Sequence, residues 1–252
     1  MNIIYESLMS RKSVRVFEDR TVEESIKEAV LNAAFQAPTA GNQMLYSIID
    51  VTDQNLKNEL SITCDNQPFI AKAPLVFIFL ADCRRWLDAY ESAGLNPRKP
   101  GTGDLLLAIQ DAVIAAQNAV VAAASFGLGS CYIGDILEHA EKHKELLHLD
   151  DYVMPITMLV IGYPTQQQKD RKKPARFERQ YLVHENHYRK LIPDEHREMF
   201  EKRAADEKFD YDDFMDKFCS RKYMSSFSIE MTRSSEVYLE QFLEKLPEKQ
   251  EE

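Results

Sequence analysis

The 252-residue sequence is short of the features that mark several familiar protein classes. Its four cysteines, Cys64, Cys83, Cys131 and Cys219, form no C-x-x-C pair and have no histidine near them at zinc-like spacing. Neither a disulfide framework nor a metal centre is expected, and a reducing cytoplasm fits. Positive charge is scarce too: 31 Lys and Arg against 41 Asp and Glu leave a formal charge of -10. That argues against nucleic-acid binding, which depends on cations that neutralise phosphates. No uninterrupted apolar run approaches the roughly 20 residues of a membrane span. The opening MNIIYESLMSRK also lacks the apolar core of a signal peptide, so a cytoplasmic location away from the membrane is expected. The six histidines lie in polar or charged surroundings, and no Ser, His and Asp constellation is present. There is no internal repeat and no low-complexity tract. With 44% hydrophobic and 29% charged residues, the chain can bury one sizeable core, with or without an appended arm.

What is present begins with RKSVRVF at 11–17. In an extended segment Arg11, Ser13 and Arg15 share one face, while Val14 and Val16 turn to the other. Two guanidinium groups and a hydroxyl on one face suit a phosphate and an electron-rich ring, although alone the run also reads as a solvated charged turn. Residues 21–37 read as an amphipathic helix, with Thr21 and Glu24 in capping-box spacing and Pro38 as its end. The turn APTAGNQ follows at 37–43. Residues 45–53 and 73–82 read as strands, the second buried on both faces. Residues 84–103 read as an irregular Gly- and Pro-bearing excursion over a site, in which Trp86 and Tyr90 either face a substrate or anchor the loop. The Ala-rich stretch 104–127 is a buried helix or a subunit interface, since Gln110, Asp111, Gln117 and Asn118 speak against a membrane span. GLGSCYIGD at 127–135 reads as a tight turn, 152–164 as another buried strand and KDRKKPARFERQ at 169–180 as a basic stretch. Beyond about 190 the composition is charged, with apolar groupings at Phe209, Tyr211, Phe214, Met215 and Phe218 and at Val237, Tyr238, Phe242 and Leu243. These suggest thin amphipathic segments that pack on the body or on a second subunit.

The order of these motifs resembles the nitroreductase family of FMN-dependent NAD(P)H oxidoreductases. R-x-S-x-R-x-F, A-P-T-x-x-N-Q, the Ala-rich helix leading into G-x-G-S-C-Y-I-G-D, and IGYP followed by KKPARF carry the resemblance over about residues 3–190. It implies an α+β fold with a central, mostly antiparallel sheet flanked by helices, as an intertwined homodimer with FMN at its interface. Residues 1–192 would form the FMN-binding domain and 193–252 a helical carboxy-terminal extension. By the same resemblance Arg11 and Ser13 contact the FMN phosphate and ribityl end, and Arg15 the pyrimidine edge. Lys173 and Arg176 supply the second half of the phosphate site, with Lys172 an alternative because this chain has K-P-A-R where many relatives have K-P-R. Pro38, Thr39, Ala40 and Asn42 line the cofactor from the partner subunit, and Gln67 stands near the pyrimidine. Cys131, Tyr132, Ile133 and Gly134 cover one flavin face, with the Gly134 amide offered to N5.

The implied activity is ping-pong: NADH or NADPH reduces FMN and leaves, then a nitroaromatic, quinone, flavin or enone takes its place as the small-molecule acceptor. A fixed cation such as Arg15 stabilises negative charge on the reduced ring. The same fold also serves relatives that dehalogenate or fragment rings, and a non-catalytic FMN-binding redox module is the reading from outside enzymes.

Overall fold

The computed structural model describes residues 2–243. Four strands, β1 (Tyr46–Asp50), β2 (Leu75–Asp82), β3 (Gly129–Ile133) and β4 (Val153–Gly162), form one sheet in the order β1-β2-β4-β3 with every pairing antiparallel. All eight residues of β2 are buried, as its unbroken apolar run requires of a strand covered on both faces. The helices preceding β3 are α1 (Ile3–Ser10), α2 (Glu24–Phe35), α3 (Gln54–Thr63), α4 (Phe69–Lys72), α5 (Arg84–Ser92) and α6 (Thr102–Ser125). After β3 come α7 (Ala140–Leu146), α8 (Gln166–Asp170), α9 (Pro193–Ala204), α10 (Tyr211–Phe218) and α11 (Ser226–Leu239).

Several expectations shift. α2 starts at Glu24, and Thr21 does not cap it, because Glu23 stands at the cap position with its carboxylate taken by Arg20 and the Tyr163 hydroxyl. The expected irregular excursion at 84–103 begins with the helix α5. Trp86, Leu87 and Tyr90 share a face there, and Arg84 pairs with Asp88 one turn on, a pattern the nearby Gly and Pro residues obscured. The expected tight turn at 127–135 contains the edge strand β3 instead. An added Cβ on Gly129 would stand 2.6 Å from Val14 Cγ2, so the glycine there admits a close neighbour rather than a turn.

α6 is long and apolar enough to cross a membrane, with a mean hydropathy of 1.7 over its most apolar window. Ala112, Ala115, Ala116 and Ala119 on one of its faces are buried with Phe77, Phe79 and Leu159 of the sheet and with Val30 and Ala34 of α2. Small side chains there let the helix lie close to the sheet, which makes it a core helix.

The chain divides into two compact units. One runs to Arg171 and resumes at Glu230; the other is Lys172–Ile229. The expected 192/193 boundary lies inside the second of these units, and residues 244–252 of the expected extension lie outside the described residues. Tyr238 and Phe242 return to the first unit's core beside Leu45, Leu105 and Tyr152. In the second unit the Phe177, Phe200, Tyr211 and Phe214 rings pack on one another, so its thin helices share an aromatic cluster of their own.

Candidate functional site

The 11–17 run leaves α1 in an extended conformation and is pinned at both ends of its span, with Ser13 bridging Ser130 and Phe17 bridging Pro164. Glycines make room for it: an added Cβ on Gly162 would meet Phe17 and Pro74 at under 3 Å, as one on Gly129 would meet Val14. Alternation holds for Val14, which is buried, but Val16 is exposed, because the run lies at the sheet's margin and covers it only at Val14 and Phe17. Arg11 sits 5.6 Å from the centre of the Tyr132 ring, and its Nε and Nη2 atoms are buried without a hydrogen-bond partner. Arg15 is exposed, with its guanidinium 5.9 Å from the Phe69 ring and its backbone N–H donating to Gln168 Oε1. The run thus meets both β3 and the segment that holds Gln67.

Two neighbouring cations, Lys12 and Arg171, are engaged with backbone carbonyls, while Lys169 pairs with Glu18. Lys12 Nζ donates to the carbonyls of Lys169, at 2.6 Å, and Arg171, while the Arg171 guanidinium donates to Ser13 O. A cavity of about 350 Å³ opens here, lined among others by Arg11, Lys12, Gly129, Ser130, Gln168 and Lys169. A buried guanidinium without a partner is costly unless an anion completes it, and a phosphate supplies the oxygens that such a fork accepts.

The 37–43 turn is shaped by a residue not singled out as a site residue. Asp111 is 3% exposed in the middle of α6. Its Oδ1 accepts from the Ala40 N–H at 3.0 Å and its Oδ2 from the Leu45 N–H at 3.1 Å. Thr39 Oγ1 accepts from the Met44 N–H inside the same loop, and Gly41, Asn42 and Met44 all have positive φ. The sequence signal was a lone carboxylate inside an apolar helix. Pro38 and Asn42 are exposed, and Thr39 and Ala40 half-buried.

On β3 and at Gly134 just after it, alternation splits the four residues expected to cover a cofactor face. Cys131 and Ile133 are buried in the core with Ile78 and Val160, so any contact of theirs with a ligand is through backbone. Tyr132 and Gly134 are the accessible ones. Burial pushes the Tyr132 hydroxyl up to about 12. Gln67 is half-buried and donates to Cys64 O. Lys172, Lys173 and Arg176 belong to the second unit. Arg171, just before them, reaches the run.

The next turn contains two surprises. His143, expected on a polar surface, is fully buried, with Nδ1 2.9 Å from Ile136 O and Nε2 2.8 Å from Thr63 Oγ1; burial lowers its pKa. Glu138 is 5% exposed and its Oε2 has no partner. Burial, then Asp135, Asp65 and Glu230, push its carboxyl up to about 7. Among the described residues no group of His, Cys, Asp and Glu is arranged to hold a metal ion.

Residues 8–163 match the Nitroreductase family, the span that holds the 11–17 run, the 37–43 turn and β3. The chain belongs to the nitroreductase family. It is 34% identical over 190 residues, 75% of each chain, to "FMN reductase (NADPH)" of Bacillus subtilis. It is also 34% identical over 191 residues, 76% of this chain and 77% of the relative, to "Oxygen-insensitive NADPH nitroreductase" of Salmonella typhimurium. The NfrA1 nitroreductase from B. subtilis superposes with a TM-score of 0.76 at 29% identity over 92% of this chain and 98% of that one. The α+β nitroreductase fold expected from the motifs is therefore present, with Lys173 and Arg176 beyond the span of the family match.

Proposed function

We propose that the protein is an NAD(P)H-dependent FMN oxidoreductase that works by a ping-pong mechanism on small acceptors such as nitroaromatics, quinones or flavins. FMN, when bound, supplies the electron-transfer chemistry between nicotinamide and acceptor. The observation that carries the reading is Arg11: two buried guanidinium nitrogens without a partner beside a cavity, where the FMN phosphate would complete them. Lys12 and Arg171 would hold the run's backbone in place while Arg11 meets the phosphate. Ser13 would join it from the same face. Arg15, exposed beside Phe69, would meet the pyrimidine edge together with Gln67, and Tyr132 and Gly134 would flank the ring.

The working form would be a homodimer in which Pro38, Thr39, Ala40 and Asn42 meet the partner's cofactor. α6 supports this, because Leu106, Leu107, Val113 and Ile114 remain exposed on its free face, as do Ile3, Ile4, Leu8 and Met9 of α1. A cytoplasmic location fits the free thiols Cys64, Cys83, Cys131 and Cys219.

Anaerobic titration of the purified protein with NADH and then NADPH tests the reading. The flavin band should bleach with at least one of them and return on addition of a nitroaromatic or quinone. Tight flavin that never bleaches would leave a non-catalytic carrier; protein that takes up no FMN would end the proposal. Arg11→Ala should weaken FMN binding about tenfold or more, from the loss of a charge-assisted hydrogen bond, as read by fluorescence titration of the apoprotein.

A further inference from the structure

The chain from Ala40 to Ser47 is held from two sides. α6 supplies acceptors, the two oxygens of Asp111 that take the Ala40 and Leu45 N–H groups. α5 supplies donors. Arg85 Nη1 donates to Met44 O at 2.8 Å, and Nη2 donates to Tyr46 O at 2.9 Å and to Ser47 Oγ at 2.7 Å. Trp86 Nε1–H donates to Gln43 O at 2.8 Å. Adjacent side chains at the start of one helix therefore take the carbonyls of Gln43, Met44 and Tyr46.

The guanidinium is aimed by the residue that opens its helix. Asp82, the last residue of β2 and 8% exposed, accepts from the Arg84 and Arg85 backbone N–H groups through Oδ1. Its Oδ2 accepts from the Ser47 hydroxyl, with Arg85 Nη2 3.4 Å away. A planar fork with donors in fixed directions spans acceptors on successive residues. A single ammonium on a flexible stem does not fix them in the same way.

The turn that this clamp closes is strained, because Gly41, Asn42 and Met44 all have positive φ. Asn42 and Met44 keep such a conformation only where their surroundings impose it. The Arg85 side chain is itself half-exposed, so water can reach these carbonyls once it is removed, and the fold as a whole gains little from its charge. Its contacts act on the exit of the turn.

We propose that Arg85, aided by Trp86, is a positioning residue that presets the 37–43 turn in the conformation that receives FMN. The proposal rests on the oxidoreductase reading above, in which that turn meets the cofactor. A preset turn has little freedom left to lose when FMN binds, whereas a released one must be ordered at that moment.

Fluorescence titration of the apoproteins with FMN, beside their urea unfolding, tests the assignment. Arg85→Met keeps the length of the side chain and removes every donor, and it should weaken FMN binding about tenfold. Its urea midpoint and far-UV circular dichroism should stay close to the parent's. Arg85→Lys keeps the charge without the fork and should remain about threefold or more weaker than the parent. Trp86→Phe, which loses one donor and keeps a ring, should also bind about threefold more weakly.

A lowered urea midpoint with parent-like affinity in Arg85→Met would make the residue purely structural and overturn the proposal. Full recovery in Arg85→Lys would overturn it too, by assigning the effect to charge. If the Arg85 variants do not fold, Trp86→Phe decides the question, and parent-like affinity there would end the proposal. A parent apoprotein that takes up no FMN would remove the oxidoreductase reading itself, whereas uptake that the variants leave unaltered removes only the positioning role.

Discussion

The turns at 37–45 and 134–143 each close on a buried carboxyl, and they are held in opposite ways. Asp111 reaches into the first from α6, and both of its oxygens accept backbone N–H groups. Glu138 sits within the second with one oxygen unpartnered and with Asp135, Asp65 and Glu230 as its charged neighbours. That second turn is secured by other groups. Ser234 Oγ accepts from the Ala140 N–H and donates to Leu137 O, the Tyr238 hydroxyl donates to Ala140 O, and His143 meets Ile136 O. Equal burial therefore does not mean an equal role. A carboxylate that receives N–H donors is part of the scaffold, whereas one among like charges becomes a proton-binding group.

The contrast is broken most severely at Asp111. Asp111→Ala leaves two buried N–H groups without an acceptor, each worth about 1–3 kcal/mol. Urea unfolding should show a loss of roughly 2–5 kcal/mol. Asp111→Asn, which keeps one acceptor oxygen, should lose less. An Asp111→Ala protein as stable as the parent would mean that the turn holds its shape without α6.

Glu138 should show its character in pH dependence. Its pKa is raised from 4.5 to about 7, so between those values the folded protein holds a proton that the unfolded chain has released. The stability this contributes is full below about pH 4.5 and is lost as pH rises through 7. His143, with a lowered pKa, acts in the other sense, costing stability as pH falls through its ordinary range. Comparison with Glu138→Gln isolates the carboxyl: the variant should match the parent near pH 4.5 and become more stable above about pH 7. Parallel stability curves for the two proteins would show that Glu138 ionises without cost.

The smallest effect is expected at Ser234. Ser234→Ala removes one donor and one acceptor from the second turn, and the cost in thermal or urea unfolding should be about 1–2 kcal/mol at neutral pH. A larger loss, accompanied by release of FMN, would make the α11 contact a direct support of the cofactor-facing turn.

Much of the fold could be read from residues in sequence. The apolar run at 73–82, the Ala-rich helix and the spaced Arg11, Ser13 and Arg15 depend on periodicity, which burial imposes on any fold that keeps them. α5 was hidden because a helix of charged and aromatic residues beside Gly and Pro reads locally as loop. β3 was hidden because its glycine signalled a turn when it marks a close contact with Val14. His143 and Glu138 look like surface residues in a polar helix, and nothing local says that α3 and α11 cover them.

The sequence by itself determined the sheet's buried strands, the core helix and the cationic run, since each follows from hydrophobic period or charge within one segment. Tertiary structure alone decided which charged groups have partners. Asp111 meets Ala40 and Leu45 across more than sixty positions, Arg171 reaches back to Ser13, and Arg11 retains two nitrogens without partners. Hydrogen bonding and desolvation depend on atoms brought together from distant segments, which local periodicity does not specify.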